Sequence, residues 1–531
     1  MALFLQKRYA MPLLLGGGAI LTALTLVFPQ VGFLEWATMV PMIAGAFLLC
    51  GREGVRLRKC YLYGFFTVFC YYFVLYHWFV RLYPLDFVGL DNASSLAVIV
   101  AGWLGLSLLQ AIPGGLIFLF FRLIHRTGVF DRAPMFRPFV FAALWVIFEW
   151  TSTLSWAGVP WGRLCLGQIE LLPMVQLSSA FGSYAVSFLL LAVNGLVAFA
   201  LLYPRREVLC GGLAVGLVIG NLVFGAIAMS LPAEEGETVT AAVIQGNINS
   251  HEKWDGNSED RMQQVYADLT RQAAAEGAEL VVWPETALPY VLNTSRSLQN
   301  FVSGLAQECG VTLIVGALYA DDSGEYNSLY LVHPDGSIAE QHYDKRHLVP
   351  FGEYVPMREL IMTLIPPLAN LSALDDDLTP GSGSALFSTE WGEIGSLICF
   401  DSIYEMLGLE SVRDGAGLMI ISSNDSWFYD SAAVYQHQAQ AQLRAIEEGR
   451  YLLRAANTGI STVLDPNGRI LRWIDPLEEG YAVCEVSFRT GRTLYSIIGN
   501  LFVYLCITLC VAAPVAGVVL RKRANRQNAK T

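Results

Sequence analysis

Three side chains follow expected strands, that of Lys345 a hairpin strand, and carry the types that nucleophilic chemistry needs. Glu285 follows LVVW in WPETALPY, Lys345 lies in YDKRHLVPFGEYVP, and Cys399 closes IGSLIC ahead of Phe400 and Asp401. A thiol with an ordinary pKa of about 8.5 is only a few per cent thiolate near neutrality, so a cysteine nucleophile needs a base. A carboxylate can take its proton. A lysine can place fixed positive charge where a tetrahedral oxyanion develops, an effect of roughly 3 kcal/mol per donor. Singly, each residue has a plainer explanation. A cysteine ending an apolar strand is more often a small buried hydrophobe, Glu285 suits a solvated turn, and Lys345 beside Arg346 suits an exposed basic pair. Base, cation and thiol together are harder to dismiss, and they point to attack through a tetrahedral intermediate.

The segment that must position them runs from about Pro232 to Thr493 and is long enough for one large core. Short runs rich in Val and Ile predict buried strands at Thr238 to Ile248, Glu279 to Trp283, Thr312 to Ala320, Ile394 to Phe400 and Gly417 to Ser423. Between them Glu259 to Ala275, Ser297 to Glu308 and Ala432 to Glu448 read as helices, and Asp335-Gly336 and Asn467-Gly468 as hairpin turns. The alternation is that of an α/β domain with added hairpins, whose strand ends carry the reactive groups.

Around this segment the chain changes character. Of its 531 residues 54% are hydrophobic and only 15% charged, well below the charged fraction of about 25% usual in soluble domains. Eight apolar runs predict membrane spans: Met11 to Phe28, Phe33 to Cys50, Tyr61 to Val80, Leu96 to Phe121, Phe139 to Val159 (interrupted by Glu149), Met174 to Leu202, Val208 to Leu231 and Leu494 to Leu520. Alternate loops gather Lys and Arg: Lys7 and Arg8; Arg52, Arg56, Arg58 and Lys59; Arg122, Arg126, Arg132 and Arg137; Arg205 and Arg206; then Arg521, Lys522, Arg523, Arg526 and Lys530. The intervening short loops hold only Arg81 and Arg163, so both termini are expected in the cytoplasm and the insert outside it. The expected divisions are a membrane domain over 1–231, the extracytoplasmic domain over 232–493, a closing span over 494–520 and a basic tail over 521–531. The signal-like N-terminus has no clear small-residue cleavage site and reads as retained.

Several functions are excluded. With 29 Phe, 23 Tyr and 12 Trp the chain is not disordered, and a net charge of −12 argues against a nucleic-acid partner. Ten cysteines without a CxxC pattern make neither a disulfide framework nor a zinc site, and Cys309 and Cys484 read as structural. His342, His347 and His437 lack a metal-binding context and read as surface or hydrogen-bonded side chains.

The soluble segment resembles the nitrilase, or carbon-nitrogen hydrolase, superfamily with its Glu-Lys-Cys triad. The resemblance is carried by IQGNI with Trp254 in EKWD, WPET, DKRHLVPFGEYVP, the Cys399 segment, NDSWF and LRAIEEGRYLLRAANTGIS. FEW at Phe148 to Trp150, GVPWG at Gly158 to Gly162 and QLSSAFGSYAVSFLLLAVN at Gln176 to Asn194 narrow it to the membrane-bound branch, the apolipoprotein N-acyltransferase family of bacterial envelopes. One departure is Phe400-Asp401 where that family often has Tyr-Glu.

The resemblance implies an αββα sandwich beside a polytopic helical membrane domain, in the bacterial cytoplasmic membrane with the catalytic domain periplasmic. It implies Glu285 as base, Lys345 as oxyanion stabiliser and Cys399 as nucleophile, with Glu353, Trp254, Phe400 and Asp401 supporting them or binding substrate. A phospholipid would donate an acyl chain to Cys399, and the α-amino group of an S-diacylglyceryl-cysteine on an apolipoprotein would accept it, with no cofactor and no metal. Two other readings of the same residues stay open at this point: a membrane-tethered amidase or nitrilase using water, and a non-catalytic lipoprotein-binding module.

Overall fold

A computed structural model describes residues 9–85, 90–155, 157–231, 236–249, 253, 259–359, 363 and 377–528. The chain forms two compact units, one of residues 1–79, 100–231 and 498–531, the other of residues 80–99 and 232–497. Residues 80–85 and 90–99 group with the second unit, and the later boundary between the units falls at 497/498.

Among the described residues seven helices are long and apolar enough to cross a membrane: Ala10–Val27, Pro29–Gly51, Leu57–Leu82, Asn92–Arg126, Ser183–Leu202, Pro204–Ala228 and Leu501–Arg523. The run expected as a fifth span, Phe139 to Val159, is instead a helix over Arg137–Thr151 of 15 residues. At about 1.5 Å per residue it falls short of a hydrocarbon core about 30 Å thick. Its Glu149 is buried, and Oε1 accepts from Trp145 Nε1 at 3.2 Å and from the Leu164 amide at 3.0 Å. The run from Met174 is also interrupted, because Gly182 adopts φ +78° ahead of the helix Ser183–Leu202.

The second unit is a two-sheet sandwich. Its strands are β1 (Thr238–Gln245), β2 (Leu280–Val282), β3 (Leu288–Val291), β4 (Thr312–Asp321), β5 (Gly324–Val332), β6 (Ile338–Asp344), β7 (Leu386–Thr389), β8 (Gly392–Ile398), β9 (Leu418–Ser423), β10 (Leu452–Ala456), β11 (Ser461–Leu464), β12 (Ile470–Ile474) and β13 (Gly480–Ser487). One sheet runs β13-β1-β2-β4-β5-β6 with β3 also on β4, and the other β12-β11-β10-β9-β8-β7. β1, β2 and β4 are parallel, as are β8, β9 and β10.

The period-two alternation of strand side chains divides each central strand between two layers. Ala241 and Val243 of β1 join Val282, Ile314, Ile398, Ile420 and Leu453 in the core between the sheets. Ala242 and Ile244 turn the other way, onto Met262, Tyr266, Leu298 and Val302 of the flanking helices Glu259–Ala275 and Arg296–Cys309. Both faces are covered, which is why these strands read as unbroken apolar runs. Glu285 and Cys399 lie just past the ends of the parallel strands β2 and β8, and Lys345 just past β6, which is antiparallel to β5.

One buried carboxyl in this unit carries a stability prediction. Glu448, at the end of the helix Ala432–Glu448, is pushed up to about 8 by burial, with the Arg444 charge opposing and the Glu447 charge adding to the rise. A carboxyl whose folded pKa lies above its ordinary value of 4.5 ionises first in the unfolded chain, so stability is full below that value and is lost as pH rises through about 8. Glu448→Gln should leave the melting temperature near wild type at pH 5 and exceed it at pH 8.5. Thermal melts at the two values check this, and parallel pH profiles would rule it out.

Candidate active site

β8 ends at Ile398, and Cys399 takes φ +47°, a left-handed conformation unusual for a residue with a β-carbon. Hydrogen bonds to the surrounding backbone hold it there. The Cys399 carbonyl accepts from Ser402 Oγ at 2.7 Å and lies 3.2 Å from His437 Nε2. His437 Nδ1 is 2.8 Å from Asp425 Oδ1, and Arg454 Nη2 donates to Asp425 Oδ2 at 2.7 Å. Burial alone would raise the Asp425 carboxyl, yet Arg454 and His437 hold it well below the usual carboxylate range. This buried network supports the nucleophile's turn from behind.

Glu285 and Lys345 arrive from the other sheet. Glu285 follows β2 through Trp283 and Pro284, and Lys345 follows β6, its amide donating to the Asn327 carbonyl at 2.8 Å. Lys345 Nζ donates to Glu285 Oε1 at 2.8 Å and lies 3.0 and 2.9 Å from the two oxygens of Glu353. Asn327 Nδ2 donates to the same two side chains, at 2.8 Å to Glu285 Oε1 and 2.9 Å to Glu353 Oε1. Lys345 and Glu285 are buried. Burial would lower the Lys345 ammonium, but Glu285, Glu353 and Cys399 together raise it well above the ordinary lysine value, so it stays a cation.

The thiol is in the opposite condition. Burial, then the Glu285 charge, pushes Cys399 far above the ordinary thiol range, against Lys345 and a hydrogen bond from Ser423. The resting nucleophile is therefore a neutral thiol, and a base must remove its proton as it attacks. Iodoacetamide labelling of Cys399, followed by peptide mass spectrometry, should climb steadily from pH 6 to pH 9. A plateau inside that window would contradict the raised pKa.

Two other sequence-selected residues lie next to the nucleophile in the chain. Asp401 is fully buried and accepts from His347 N at 2.7 Å, Tyr343 OH at 2.9 Å and Ile398 N at 3.2 Å. Burial pushes its carboxyl up to about 6, against those donors and Lys345. Expected to support the triad or bind substrate, Asp401 is buried and ties the loop after Lys345 to the turn of Cys399. The shorter Asp fits this internal bridge. Phe400 is half-buried and packs edge-on against Tyr404, ring centres 5.6 Å apart. Trp254 lies outside the described residues.

Sequence reading missed Asn327 and the Arg454 guanidinium, and took His437 as an unremarkable hydrogen-bonded histidine. An Asn or Arg inside an otherwise apolar strand was the available signal, since a buried polar group requires a partner. The ligating atoms of Cys399, Asp425 and His437 lie within 4.8 Å of one another. Arg454 already sits on that carboxylate as its counter-cation, so the donor set suits an ion pair better than a second cation.

Residues 240–494 match the carbon-nitrogen hydrolase family, and residues 18–196 match the apolipoprotein N-acyltransferase N-terminal domain. An apolipoprotein N-acyltransferase of Geobacter metallireducens is 32% identical over 98% of this chain and 96% of its own length. One from Gloeobacter violaceus is 33% identical over 97% and 95%. Among solved structures, Saccharomyces cerevisiae Nit3, a nitrilase-superfamily protein, is 20% identical with a TM-score of 0.39, covering 51% of this chain and 96% of that one. With relatives of this identity aligned from end to end and both halves matched by their own families, the chain belongs to the apolipoprotein N-acyltransferase family.

Proposed function

We propose that the protein transfers an acyl chain from a membrane phospholipid to the α-amino group of S-diacylglyceryl-cysteine at the N-terminus of an apolipoprotein, through a thioester on Cys399. Support comes above all from Glu285 and Lys345 in direct contact, with both charges acting on Cys399, inside a chain aligned over its length with N-acyltransferases.

Glu285 accepts the thiol proton as Sγ attacks the ester carbonyl. Lys345 donates to the oxyanion of the tetrahedral intermediate. Collapse breaks the C–O bond, the departing alkoxide takes the proton from Glu285, and a lysophospholipid leaves. In the second half the acceptor amine attacks the thioester, Glu285 takes its proton, and the C–S bond breaks. That proton returns to the thiolate, so both halves balance and no external base is consumed. Glu353, in contact with Lys345 through both oxygens, aligns the ammonium.

The membrane unit suits these substrates. Lifting an acyl chain into water would cost about 0.8 kcal/mol per CH₂, and a site served from the bilayer avoids that cost. The Lys and Arg distribution supports placement in the cytoplasmic membrane with both termini cytoplasmic and residues 232–493 extracytoplasmic, which requires the segment of the short helix Arg137–Thr151 to complete a crossing together with the chain that follows it, beside the seven long apolar helices.

The test is incubation of the purified protein with a defined phospholipid and a synthetic diacylated lipopeptide carrying a free N-terminal amine. The expected product is the lipopeptide heavier by one acyl group at that amine, with one lysophospholipid released per transfer. Release of free fatty acid with an unchanged lipopeptide would replace this reading with a hydrolase.

A further inference from the structure

Lys253 carries a buried amine that the acyl-transfer scheme leaves unused, and that amine contacts the segment that carries the base. It is only 2% exposed. Its Nζ donates to the Glu285 carbonyl at 3.1 Å and to Thr286 Oγ1 at 2.6 Å. Thr286 has φ +43°, in the left-handed region that a β-branched residue adopts only when its surroundings hold it there. On another side β4 approaches closely, and a β-carbon added at Gly316 would meet the Thr286 amide nitrogen at 2.8 Å. The Glu285–Thr286 turn is thus fixed by strand backbone and by Lys253. Meanwhile the Glu285 carboxylate is held separately by Lys345 and Asn327.

We propose that Lys253 is a positioning residue for the base: by bonding the Glu285 carbonyl and the Thr286 hydroxyl, it fixes the backbone turn that aims the Glu285 carboxylate at Cys399. Burial lowers the Lys253 ammonium to about 7, with Glu285 and Cys399 opposing. Charged or neutral, the amine keeps the two N–H groups that this clamp requires, so the role is one of geometry rather than charge.

This inference rests on the assignment of Glu285 as base, and the experiment separates the two. Full-length protein would be prepared as wild type, Lys253→Met, Thr286→Val, the double variant and Glu285→Gln. The rate of acyl-enzyme formation from an acyl-labelled phospholipid would then be followed per folded site. Misplacing a catalytic group by about 1 Å can cost about a hundredfold in rate. Lys253→Met should therefore acylate about 30-fold to 100-fold more slowly with the KM for phospholipid unchanged within about twofold. Thr286→Val should lose less, and the double variant should match Lys253→Met because that substitution already removes the one contact that Thr286→Val breaks. A folded Lys253→Met protein that acylates at the wild-type rate overturns the proposal, as does a rise in KM with no fall in rate. If Lys253→Met does not fold, Thr286→Val acylating at the wild-type rate overturns it. An active Glu285→Gln protein would instead remove the assignment of the base.

Discussion

Alanine at position 399 should leave no measurable N-acylation, a fall of at least about 10⁴-fold, while the protein folds as before. The loss is total because the thiol supplies the covalent stage: without Sγ no thioester forms, and the acceptor amine would have to attack an unactivated ester directly. Folding survives because the contacts holding the turn involve backbone and neighbouring side chains. Ser402 donates to the residue-399 carbonyl, His437 lies against the same oxygen, and Asp401 accepts from Ile398 N. Serine should do little better than alanine, since its hydroxyl is a far weaker acid and Glu285, as a carboxylate, is a poor match for its proton. Transfer to a diacylated lipopeptide, measured beside a thermal melt, checks both halves of this expectation. Retained transfer in Cys399→Ala would remove the nucleophile from the scheme.

Lys345→Met should cost both activity and stability. Lys345 Nζ contacts Glu285 Oε1 and both oxygens of Glu353, while Asn327 supplies the only other side-chain hydrogen bonds to those carboxylates among the described residues. Removing the ammonium leaves two close carboxylates facing each other in a buried site. Breaking a buried ion pair from one side typically costs about 3–5 kcal/mol. Acyl-enzyme formation should fall by about 10³-fold, the upper range for loss of an oxyanion donor, since the base loses its partner as well. Adding Glu353→Gln to Lys345→Met removes one uncompensated charge. The double variant should melt at a higher temperature than Lys345→Met and remain as inactive. Recovery of activity along with stability would mean that Lys345 serves only to neutralise its neighbours.

The parts of the site legible in the sequence are those whose signals are local. Glu285 and Cys399 each follow an apolar strand that is recognisable on its own because its Val, Ile and Leu residues are buried, whereas Lys345 follows β6, a partly exposed hairpin strand, IAEQHYD, without such a run. What brings the three together is the packing of β2 and β6 of one sheet against β8 of the other, which no local pattern encodes. The support behind Cys399 was hidden for the same reason: Asp425, His437 and Arg454 come from a loop, a helix and a strand, and only the fold makes them one network. Asp401 illustrates a different limit, because a carboxylate next to a nucleophile looks the same in sequence whether it faces the substrate or the interior. In the membrane unit apolar composition continues past Thr151, but the helix does not, since composition reports where a chain is buried and not where its hydrogen-bonded turns stop.

The central claim is a thioester on Cys399 that lies on the path from phospholipid to lipoprotein, and one measurement addresses it directly. Wild-type protein in detergent is loaded with an acyl-labelled phospholipid in the absence of acceptor, freed of lipid and examined by intact mass. The account predicts one added acyl group, located on Cys399 and released by hydroxylamine, which moves to a diacylated lipopeptide at least as fast as steady-state turnover. A folded protein that carries out transfer without ever accumulating or passing on such an adduct would contradict it.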